Sequence, residues 1–309
     1  MKILKESGYF TNRKGETPAI FYTKYLPEDM EVKASLLIVH GMQEHSGRYE
    51  PIARYFAAHG FVVLTYDQLG HGRSVNQEDD LGFFQQKKPQ QRLITDAIDL
   101  SLRLKEGYVN IPLFVLGHSM GSFVTRCLLQ RIGDVFSGAV VVGTGGRLIG
   151  INMLNTYFGI TNWFNPRKKV AFNRLFNAMN NWNFKKDNDS LAWISTNKKN
   201  RKSFKEDKLC GFPFSNNAFF TLFRIYKRAT QKGWRKHIPK SLPFLFVSGG
   251  DDVIGNFGKG VQQSADDLKN HGCQQVEVKL YPEMRHEILN EEIKEQVYED
   301  ILRWLKSQW

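Results

Sequence analysis

The strongest chemical signal in the chain is a serine flanked by glycines. Residues 117–121 are Gly-His-Ser-Met-Gly, a G-x-S-x-G motif that stands between an apolar run, 113–116, and an amphipathic stretch, 122–131. A serine on such a tight strand-to-helix turn presents its hydroxyl at the carboxyl edge of a sheet, where the helix N-terminus favours negative charge. We therefore predict that Ser119 is a nucleophile.

A serine hydroxyl needs a base to take its proton and an acid to orient that base. With a serine in this context, the acid should follow a late strand and the histidine should follow the last strand. His286 is the one histidine beyond the last apolar run, so it is the predicted base. Asp252 is the favoured acid because the apolar residues 253–254 can fix its loop, whereas Asp251 suits a solvated turn.

The tetrahedral intermediate of acyl transfer needs two backbone N–H donors. We predict the amide of Met120, which follows the nucleophile, and the amide of Met42, which follows Gly41 in the loop after the apolar run 36–39. In the same loops, His40 and His71 are interpreted as structural supports.

Four residues are predicted to contact the substrate: Gly41, His118, Cys210 and Phe212. Gly41 lets the backbone approach closely, and Cys210 and Phe212 stand in an aromatic stretch that can border a cavity. A buried structural thiol is the alternative for Cys210. We expect neither a metal nor a cofactor, because the mechanism is complete with side chains and amides and the three cysteines show no ligand-like spacing.

Apolar runs alternate with helical patterns along most of the chain. The predicted strands are 19–25, 36–39, 61–64, 113–116, 139–142, 244–247 and 276–280. The predicted helices are 49–59, 93–105, 122–131, 260–270 and 291–305. The middle strands are apolar on both faces, as in a parallel sheet covered by helices on both sides. This alternation is typical of the doubly wound α/β class.

The positive charge is concentrated in one internal block. The 309 residues carry a formal net charge of +12, yet 147–240 holds 20 Lys and Arg against 4 Asp and Glu, and the rest is slightly acidic. We predict a core of 1–146 and 241–309 with a helical insertion, 147–240. The basic block suits an anionic membrane or anionic lipids, with a merely solvated surface as the alternative. Nucleic acid is not expected, because no binding motif accompanies the charge.

The compartment is predicted from what the sequence lacks. No apolar run approaches the length of a membrane span, and residues 1–7 show no long apolar signal segment. Three widely spaced cysteines fit reduced thiols. We expect a cytoplasmic protein, with peripheral membrane contact through the basic block as an option.

These motifs together resemble the monoacylglycerol lipase and lysophospholipase-like branch of the α/β hydrolases, which is also grouped with serine aminopeptidase-type hydrolases. The similar segments are 40–49, 67–74, 117–121, 255–260 and 280–291. The resemblance implies a mostly parallel eight-stranded sheet with helices on both faces, a lid at 147–240, and Asp252 as the acid. Gln43 departs from the family pattern, in which glycine is common at that place.

The function predicted from these observations is a serine esterase that hydrolyses carboxylic esters of lipids, of the monoacylglycerol lipase or lysophospholipase type, through a Ser-His-Asp triad and an acyl-enzyme. One alternative is a peptidase or amidase of the serine aminopeptidase type, which the scarcity of acidic residues in 147–240 disfavours. The other is a non-catalytic lipid-binding protein on a hydrolase scaffold, which the complete set of Ser119, Asp252 and His286 disfavours.

Overall fold

One mixed sheet forms the centre of the molecule. The structure is a computed structural model that describes residues 2–11, 17–84 and 87–309. Eight strands of the described chain join this sheet: β1 (Ile3–Phe10), β2 (Ile20–Pro27), β3 (Ala34–Val39), β4 (Phe61–Tyr66), β5 (Leu113–His118), β6 (Gly138–Val142), β7 (Phe244–Gly249) and β8 (Val276–Tyr281).

The strand order in space is β1-β2-β4-β3-β5-β6-β7-β8. The pairs β1–β2 and β2–β4 are antiparallel, and the remaining pairs are parallel. The prediction of a mostly parallel eight-stranded sheet is therefore confirmed. The carboxyl ends of the parallel strands meet at one edge, where a ligand can reach the loops that follow them.

The eighth strand, β1, has no apolar pattern that would predict it. Residues 4–7, Leu-Lys-Glu-Ser, are exposed, and β1 pairs only with β2 at the edge of the sheet. An edge strand needs burial on one side at most, and charged side chains there discourage pairing with another chain. For this reason the apolar runs alone indicate seven strands.

Helices cover both faces of the sheet. In chain order they are α1 (Glu50–Ala57), α2 (Pro89–Gly107), α3 (Met120–Ile132), α4 (Ile151–Phe164), α5 (Phe172–Asn180), α6 (Lys198–Glu206), α7 (Asn216–Thr230), α8 (Lys259–Lys269) and α9 (Lys294–Lys306). Alternate residues of β3 face opposite sides: Leu36 belongs to the apolar cluster that includes residues of α1 and α9, and Leu37 to the cluster that includes residues of α2, α3 and α8. Each fully buried side chain of this kind stabilises the fold by about 1.5–3 kcal/mol.

The stretch 147–240 lies between β6 and β7 and contains α4 to α7. Helix α7 packs against α3 and shares its apolar cluster, so it is integrated with the core. Helix α5, in contrast, has no buried residue. The division into a core and a lid at 147–240 stays a prediction.

Among the described residues, no helix combines the length and the apolar character needed to cross a bilayer.

Candidate active site

Ser119 lies at the sharp turn that joins β5 to α3. Its φ of 52° and ψ of −119° place a non-glycine residue in a strained conformation, which costs about 1–3 kcal/mol. A Cβ at Gly121 would overlap the carbonyl oxygens of Val39 and His40. The glycines of the motif are thus required by the close approach of helix and strand, and the turn fixes the serine hydroxyl at the sheet edge.

The structure brings the three predicted triad side chains together. Ser119 Oγ donates a hydrogen bond to His286 Nε2 at 2.8 Å. His286 Nδ1 donates to the Asp252 carboxylate, at 3.0 Å from Oδ1 and 3.1 Å from Oδ2. All three side chains are buried. This arrangement can move a proton from the serine to the histidine while the carboxylate faces the cation that forms.

The carboxylate of Asp252 is fully buried yet well supplied with donors. Ser248 Oγ donates to Oδ2 at 3.0 Å, and the amide of Ile254 donates to Oδ1 at 2.9 Å. Burial alone would raise the pKa of Asp252, but the charge of His286 and these hydrogen bonds outweigh it, so the pKa is lowered. Asp252 therefore stays ionised at neutral pH. The structure records no contact between the neighbouring Asp251 and His286.

The loop after β3 brings its backbone close to Ser119. The amide of Gly41 donates to Glu44 Oε1 at 2.6 Å, and a Cβ at Gly41 would lie 3.2 Å from Ser119 Cβ. Met42 lines the space beside Ser119. Met120 is the first residue of α3, where a helix leaves the amide without an internal acceptor. The predicted oxyanion donors therefore lie on elements next to the nucleophile.

Gln43 takes a left-handed conformation, with φ of 55°. A glycine has no steric cost there, which explains why this position favours glycine. Its side-chain Nε2 donates to Asn173 Oδ1 at 2.9 Å, and its carbonyl accepts from the amide of Gly211 at 2.8 Å. The departure at Gln43 thus adds a side-chain hydrogen bond to Asn173, whereas the backbone bond with Gly211 does not depend on the side chain.

A buried network of ion pairs and hydrogen bonds contacts the loop that carries His286. Arg48 donates to Glu44 at 2.7 Å and to both carboxylate oxygens of Glu287 at 2.6 Å, and Asn200 of α6 joins through its amide. Burial would lower the pKa of Arg48, but the charge and hydrogen bonds of Glu287 hold it well above its usual range. Since Glu287 follows His286, this network fixes the loop that carries the predicted base.

His118 connects that network to the backbone of His286. Its Nδ1 lies 2.8 Å from the hydroxyl of Tyr49, which donates to Glu44, and its Nε2 lies 3.2 Å from the His286 carbonyl. A carbonyl oxygen can only accept, so Nε2 is the donor toward His286. Burial would lower the pKa of His118, but the hydrogen bond and charge of Glu44 outweigh it and raise the pKa above 6.5. His118 therefore links Tyr49 and Glu44 to the backbone of His286.

Two cavities meet at Ser119. The polar cavity, of about 390 Å³, is bordered by Gly41, His118, Cys210, Lys205 and Glu287, among others. The apolar cavity, of about 290 Å³, is bordered mainly by the stretch 147–240, with Leu154 of α4, Phe172 and Phe176 of α5, and Leu222 and Phe223 of α7 on its wall. Ser119 and Met42 border both. A molecule with one polar and one apolar end can thus place the bond between them at the serine.

Phe212 borders neither of these two cavities. Its ring packs at 5.4 Å from His71, beside Phe84 and Phe214. Burial lowers the pKa of His71 well below 6.5, so His71 is a neutral ring within an aromatic cluster. The ring of Phe212 thus lies in this cluster and not on the wall of either cavity, and its contact with substrate stays a prediction.

Three potential metal ligands lie near one another among the described residues. The ligating atoms of His45, Asp207 and Cys210 are within 4.8 Å. His45 Nε2 donates to Asp207 at 2.9 Å, and its Nδ1 accepts from the amide of Gly47 at 3.2 Å. Because Nδ1 already accepts a hydrogen bond, Nε2 carries the ring proton and has no lone pair for a metal. The cluster serves to join the loop after β3 to α6.

Sequence reasoning missed several residues that contact the triad. The ring of Trp193 lies 5.4 Å from that of His286, and the amide of Glu287 donates to the carbonyl of Ile194 at 2.7 Å. Arg48 and Glu287 stand in the segments 40–49 and 280–291, which are similar to the family. That resemblance assigns no role to either residue. Nothing in the local pattern distinguishes Trp193 from the other aromatic residues of the stretch 147–240.

Comparison with known proteins gives evidence on the family of the chain that is independent of the geometry of the site. A family model described as serine aminopeptidase, S33, matches residues 30–293. A monoglyceride lipase homolog of monkeypox virus is 35% identical over 107 residues, which cover 34% of this chain and 36% of that protein. A monoacylglycerol lipase of Mycolicibacterium smegmatis is 24% identical over 93% of both chains. The match to the viral protein thus spans little more than a third of its length, and the bacterial match is nearly complete.

A solved structure has the same fold over almost the whole chain. A highly thermostable carboxyl esterase from Bacillus coagulans, in complex with glycerol, superposes with a TM-score of 0.89 at 25% identity and covers 98% of both chains.

Proposed function

The chain belongs to the serine aminopeptidase S33 family of α/β hydrolases, and on this premise we propose that it is a serine esterase that hydrolyses carboxylic esters of lipids. We propose monoacylglycerols or lysophospholipids as its substrates. The likeness to named lipases and to a carboxyl esterase supports a carboxylic ester hydrolase. The observation that carries the proposal is the hydrogen-bonded chain from Ser119 through His286 to Asp252.

In the first step, Ser119 Oγ attacks the ester carbonyl carbon while its proton passes to His286 Nε2. Asp252 accepts the Nδ1–H of the ring and stabilises the imidazolium. The carbonyl oxygen becomes an oxyanion, to which the amides of Met42 and Met120 donate. When the tetrahedral intermediate collapses, the alcohol leaves with the proton of His286, and Ser119 carries the acyl group.

In the second step, water takes the place of the alcohol. His286 removes a proton from this water as the oxygen attacks the acyl carbon, and the same amides stabilise the second oxyanion. The proton then returns to Ser119 Oγ as the fatty acid leaves. Each cycle consumes one ester and one water, releases one alcohol and one fatty acid, and restores Ser119 and His286.

The two cavities support a lipid substrate. We propose that the acyl chain occupies the apolar cavity and that the glycerol or phosphoglycerol end occupies the polar cavity, with the ester carbonyl at Ser119. Apolar cavity walls favour an alkyl chain by roughly 25 cal/mol per Å² buried. We also propose that 147–240 acts as a lid, since residues of this stretch form most of the apolar wall.

The peptidase alternative needs a carboxylate to receive the substrate amine. Glu44 and Glu287 border the polar cavity, but both are buried and already accept hydrogen bonds from Arg48, so neither is free to receive an amine. This supports an ester over an N-terminal peptide. Faster turnover of an aminoacyl-naphthylamide than of an acyl ester would reverse this preference.

Hydrolysis of p-nitrophenyl acyl esters tests the proposed function. We expect Ser119→Ala to lower turnover by at least about 10⁴-fold, whereas Ser137→Ala, distant from the triad, keeps the wild-type rate. Equal rates for Ser119→Ala and the wild type would remove the proposal. If the wild type turns over no ester at all, the non-catalytic lipid-binding alternative takes its place.

A further inference from the structure

Three polar side chains on the wall of the polar cavity have hydrogen-bond donors to spare. Asn177 lies on α5, Ser190 lies in the turn between α5 and α6, and Lys205 lies on α6. The side chains of Asn177 and Ser190 make no hydrogen bond with any residue that the structure describes. The ammonium of Lys205 has three donors, and one of them is bonded to Asp189 Oδ1 at 2.7 Å. We call Asn177, Ser190 and Lys205 the donor set.

The carboxylates on the same wall are already occupied. Glu44 accepts from the hydroxyl of Tyr49 and from Arg48, and Glu287 accepts from Arg48 and from Asn200. Both glutamates are buried, whereas Ser190 and Lys205 are exposed and lie where the cavity opens to solvent. The free polar groups at the opening are therefore mainly donors.

The charge of Lys205 is not cancelled by Asp189. The other carboxylate oxygen of Asp189 lies 3.1 Å from Arg201 Nε. Asp187 pairs in turn with Arg201 at 3.3 Å and with Arg285 at 2.6 Å. Three cations thus share two aspartates, which leaves one positive charge in this group of five residues. Of the five, only Lys205 borders the polar cavity, so an anion in that cavity meets the excess charge through Lys205.

The position of the donor set fits the alcohol part of a lipid ester. Ser119 borders both cavities, so an ester whose acyl chain fills the apolar cavity extends its alcohol part into the polar cavity. An ionised phosphate offers several acceptor oxygens and takes charge-assisted hydrogen bonds from an ammonium, besides those from hydroxyl and amide groups. The hydroxyls of glycerol carry no charge that would attract Lys205. The donor set therefore matches a phosphate better than an unmodified glycerol.

We propose that Lys205, Ser190 and Asn177 form a subsite for the phosphate of a lysophospholipid with a phosphoglycerol head, and that Lys205 selects this lipid over a monoacylglycerol. The binding of phosphate follows from the donors and the charge, while the use of the subsite in hydrolysis rests on the proposed function. A free phosphate ion meets the same donors but has no acyl chain for the apolar cavity, so it should bind more weakly.

Turnover of two lipids with the same acyl chain tests this selection. Lysophosphatidylglycerol and monoacylglycerol, both with a decanoyl chain, are compared below their micelle concentrations, so that no lipid surface takes part. We expect the wild type to favour lysophosphatidylglycerol in kcat/KM, and Lys205→Met to lower this preference by at least about tenfold, mainly through KM. A general loss of folding or activity would lower both rates and leave the preference unchanged.

Lys202→Met, one turn earlier on the same helix, is the matched control. Its side chain is exposed, lies 3.7 Å from Glu206 and does not border the polar cavity, so the preference should stay as in the wild type. Lys205→Arg keeps the charge and should keep most of the preference. Ser190→Ala and Asn177→Ala each remove one neutral donor and should each lower the preference by about threefold.

Two results would overturn the proposal in this assay. The first is a wild-type preference for monoacylglycerol. The second is a preference for lysophosphatidylglycerol that Lys205→Met leaves intact or that Lys202→Met lowers to the same extent, since the selection would then not depend on the donor set.

Binding to the inactive Ser119→Ala protein separates the subsite from the proposed function. In titration calorimetry, we expect lysophosphatidylglycerol to bind at least about tenfold more tightly than monoacylglycerol, and Lys205→Met to remove this difference. This result without turnover of any ester would keep the subsite and remove the esterase. Turnover of p-nitrophenyl esters by the wild type, together with equal binding of the two lipids, would keep the esterase and remove the subsite. Inorganic phosphate that binds as tightly as lysophosphatidylglycerol would assign the donor set to a free anion and contradict the proposal.

Discussion

Two consecutive stretches of the chain, 148–186 and 187–211, face their surroundings in opposite ways. The first has ten of the sixteen exposed large apolar side chains found in the described chain, and no acidic residue. The second has none of those exposed apolar side chains; three of its four acidic residues take part in ion pairs, and the fourth, Asp207, accepts a hydrogen bond from His45. Both stretches border the cavities, yet only one of them is tied to the triad by polar contacts.

Polar contacts join the stretch 187–211 to the loop of the predicted base. The buried carboxylate of Glu291 accepts from the amides of Thr196 and Asn197 and from the hydroxyl of Ser195. Asn200 reaches Glu287, and Trp193 packs on the ring of His286. These contacts make the stretch part of the site.

The stretch 148–186 is held mainly by apolar packing and by a few bonds of its loop, such as Arg167 to Asp80 at 2.7 Å. Its outer face has no internal partner. The comparison teaches that hydrogen bonds and ion pairs, more than position along the chain, decide which part of an insertion belongs to the catalytic machinery.

The largest expected effect comes from Arg48→Gln. This change leaves two buried carboxylates, Glu44 and Glu287, without their cation, so we expect the free energy of unfolding to fall by about 3–5 kcal/mol. Ester turnover should fall as well, because Glu287 adjoins His286. Urea unfolding and p-nitrophenyl ester kinetics measure the two effects.

The matched control is Arg54→Gln, which removes a partly exposed arginine from its pair with Glu50. Such a pair contributes about 0–1 kcal/mol. Arg48→Lys keeps the charge without the forked geometry and should lie between Arg48→Gln and the wild type. If Arg48→Gln loses no more stability than Arg54→Gln, the network does not fix the loop.

Glu291→Ala is the next largest change. The amides of Thr196, Asn197 and Arg285 lose their acceptor, which should cost about 3 kcal/mol. Amide hydrogen exchange should speed up at 195–197 and remain slow in α4. Glu292→Ala removes a neighbouring exposed carboxylate and serves as the control. If Glu291→Ala speeds amide exchange equally in 187–211 and 148–186, the proposed difference between the two stretches is wrong.

As the pH falls, the stretch 187–211 should lose its ordered contacts before the stretch 148–186 does. The hydrogen bond from Arg285 lowers the pKa of Asp187 below 3.8; for Asp207, burial would raise the pKa, but the hydrogen bond from His45 lowers it. A lowered folded-state pKa gives stability that is present above about pH 4 and lost as pH falls through the folded value. Amide exchange at neutral and acid pH, corrected for intrinsic rates, should show protection lost first in 187–211, and simultaneous loss in both stretches would contradict this.

The smallest effect is expected for Met153→Ser. This side chain is 77% exposed, so the free energy of unfolding in solution should change by less than about 0.5 kcal/mol. Leu154→Ser, one residue farther along, removes a side chain packed against the core and should cost more. A large loss of stability for Met153→Ser would mean that this side chain of α4 has a packing partner in solution.

Much of the fold and of the candidate triad could be predicted because the signals are local. A strand, a glycine-bounded serine and a helix are adjacent in sequence, and chain order then places Asp252 and His286 at loops of the same sheet edge. The structure brings these side chains within hydrogen-bonding distance.

The remaining contacts have no local signal. Arg48 and Glu287 are 239 residues apart, and Arg48 and Asn200 are 152 apart, so their pairing depends on the whole fold. The strand β1 lacks a pattern because one side of it is solvent, and Phe212 joined the predicted contacts because an aromatic stretch does not show which ring faces a cavity.

The most direct test of the account is to identify the residue that reacts with a fluorophosphonate probe, by peptide mass spectrometry, in the wild type and in His286→Ala. We predict an adduct on Ser119 in the wild type and labelling slowed by at least about 10³-fold in His286→Ala. An adduct on another residue, or equal labelling of the two proteins, would contradict the claim that His286 activates Ser119.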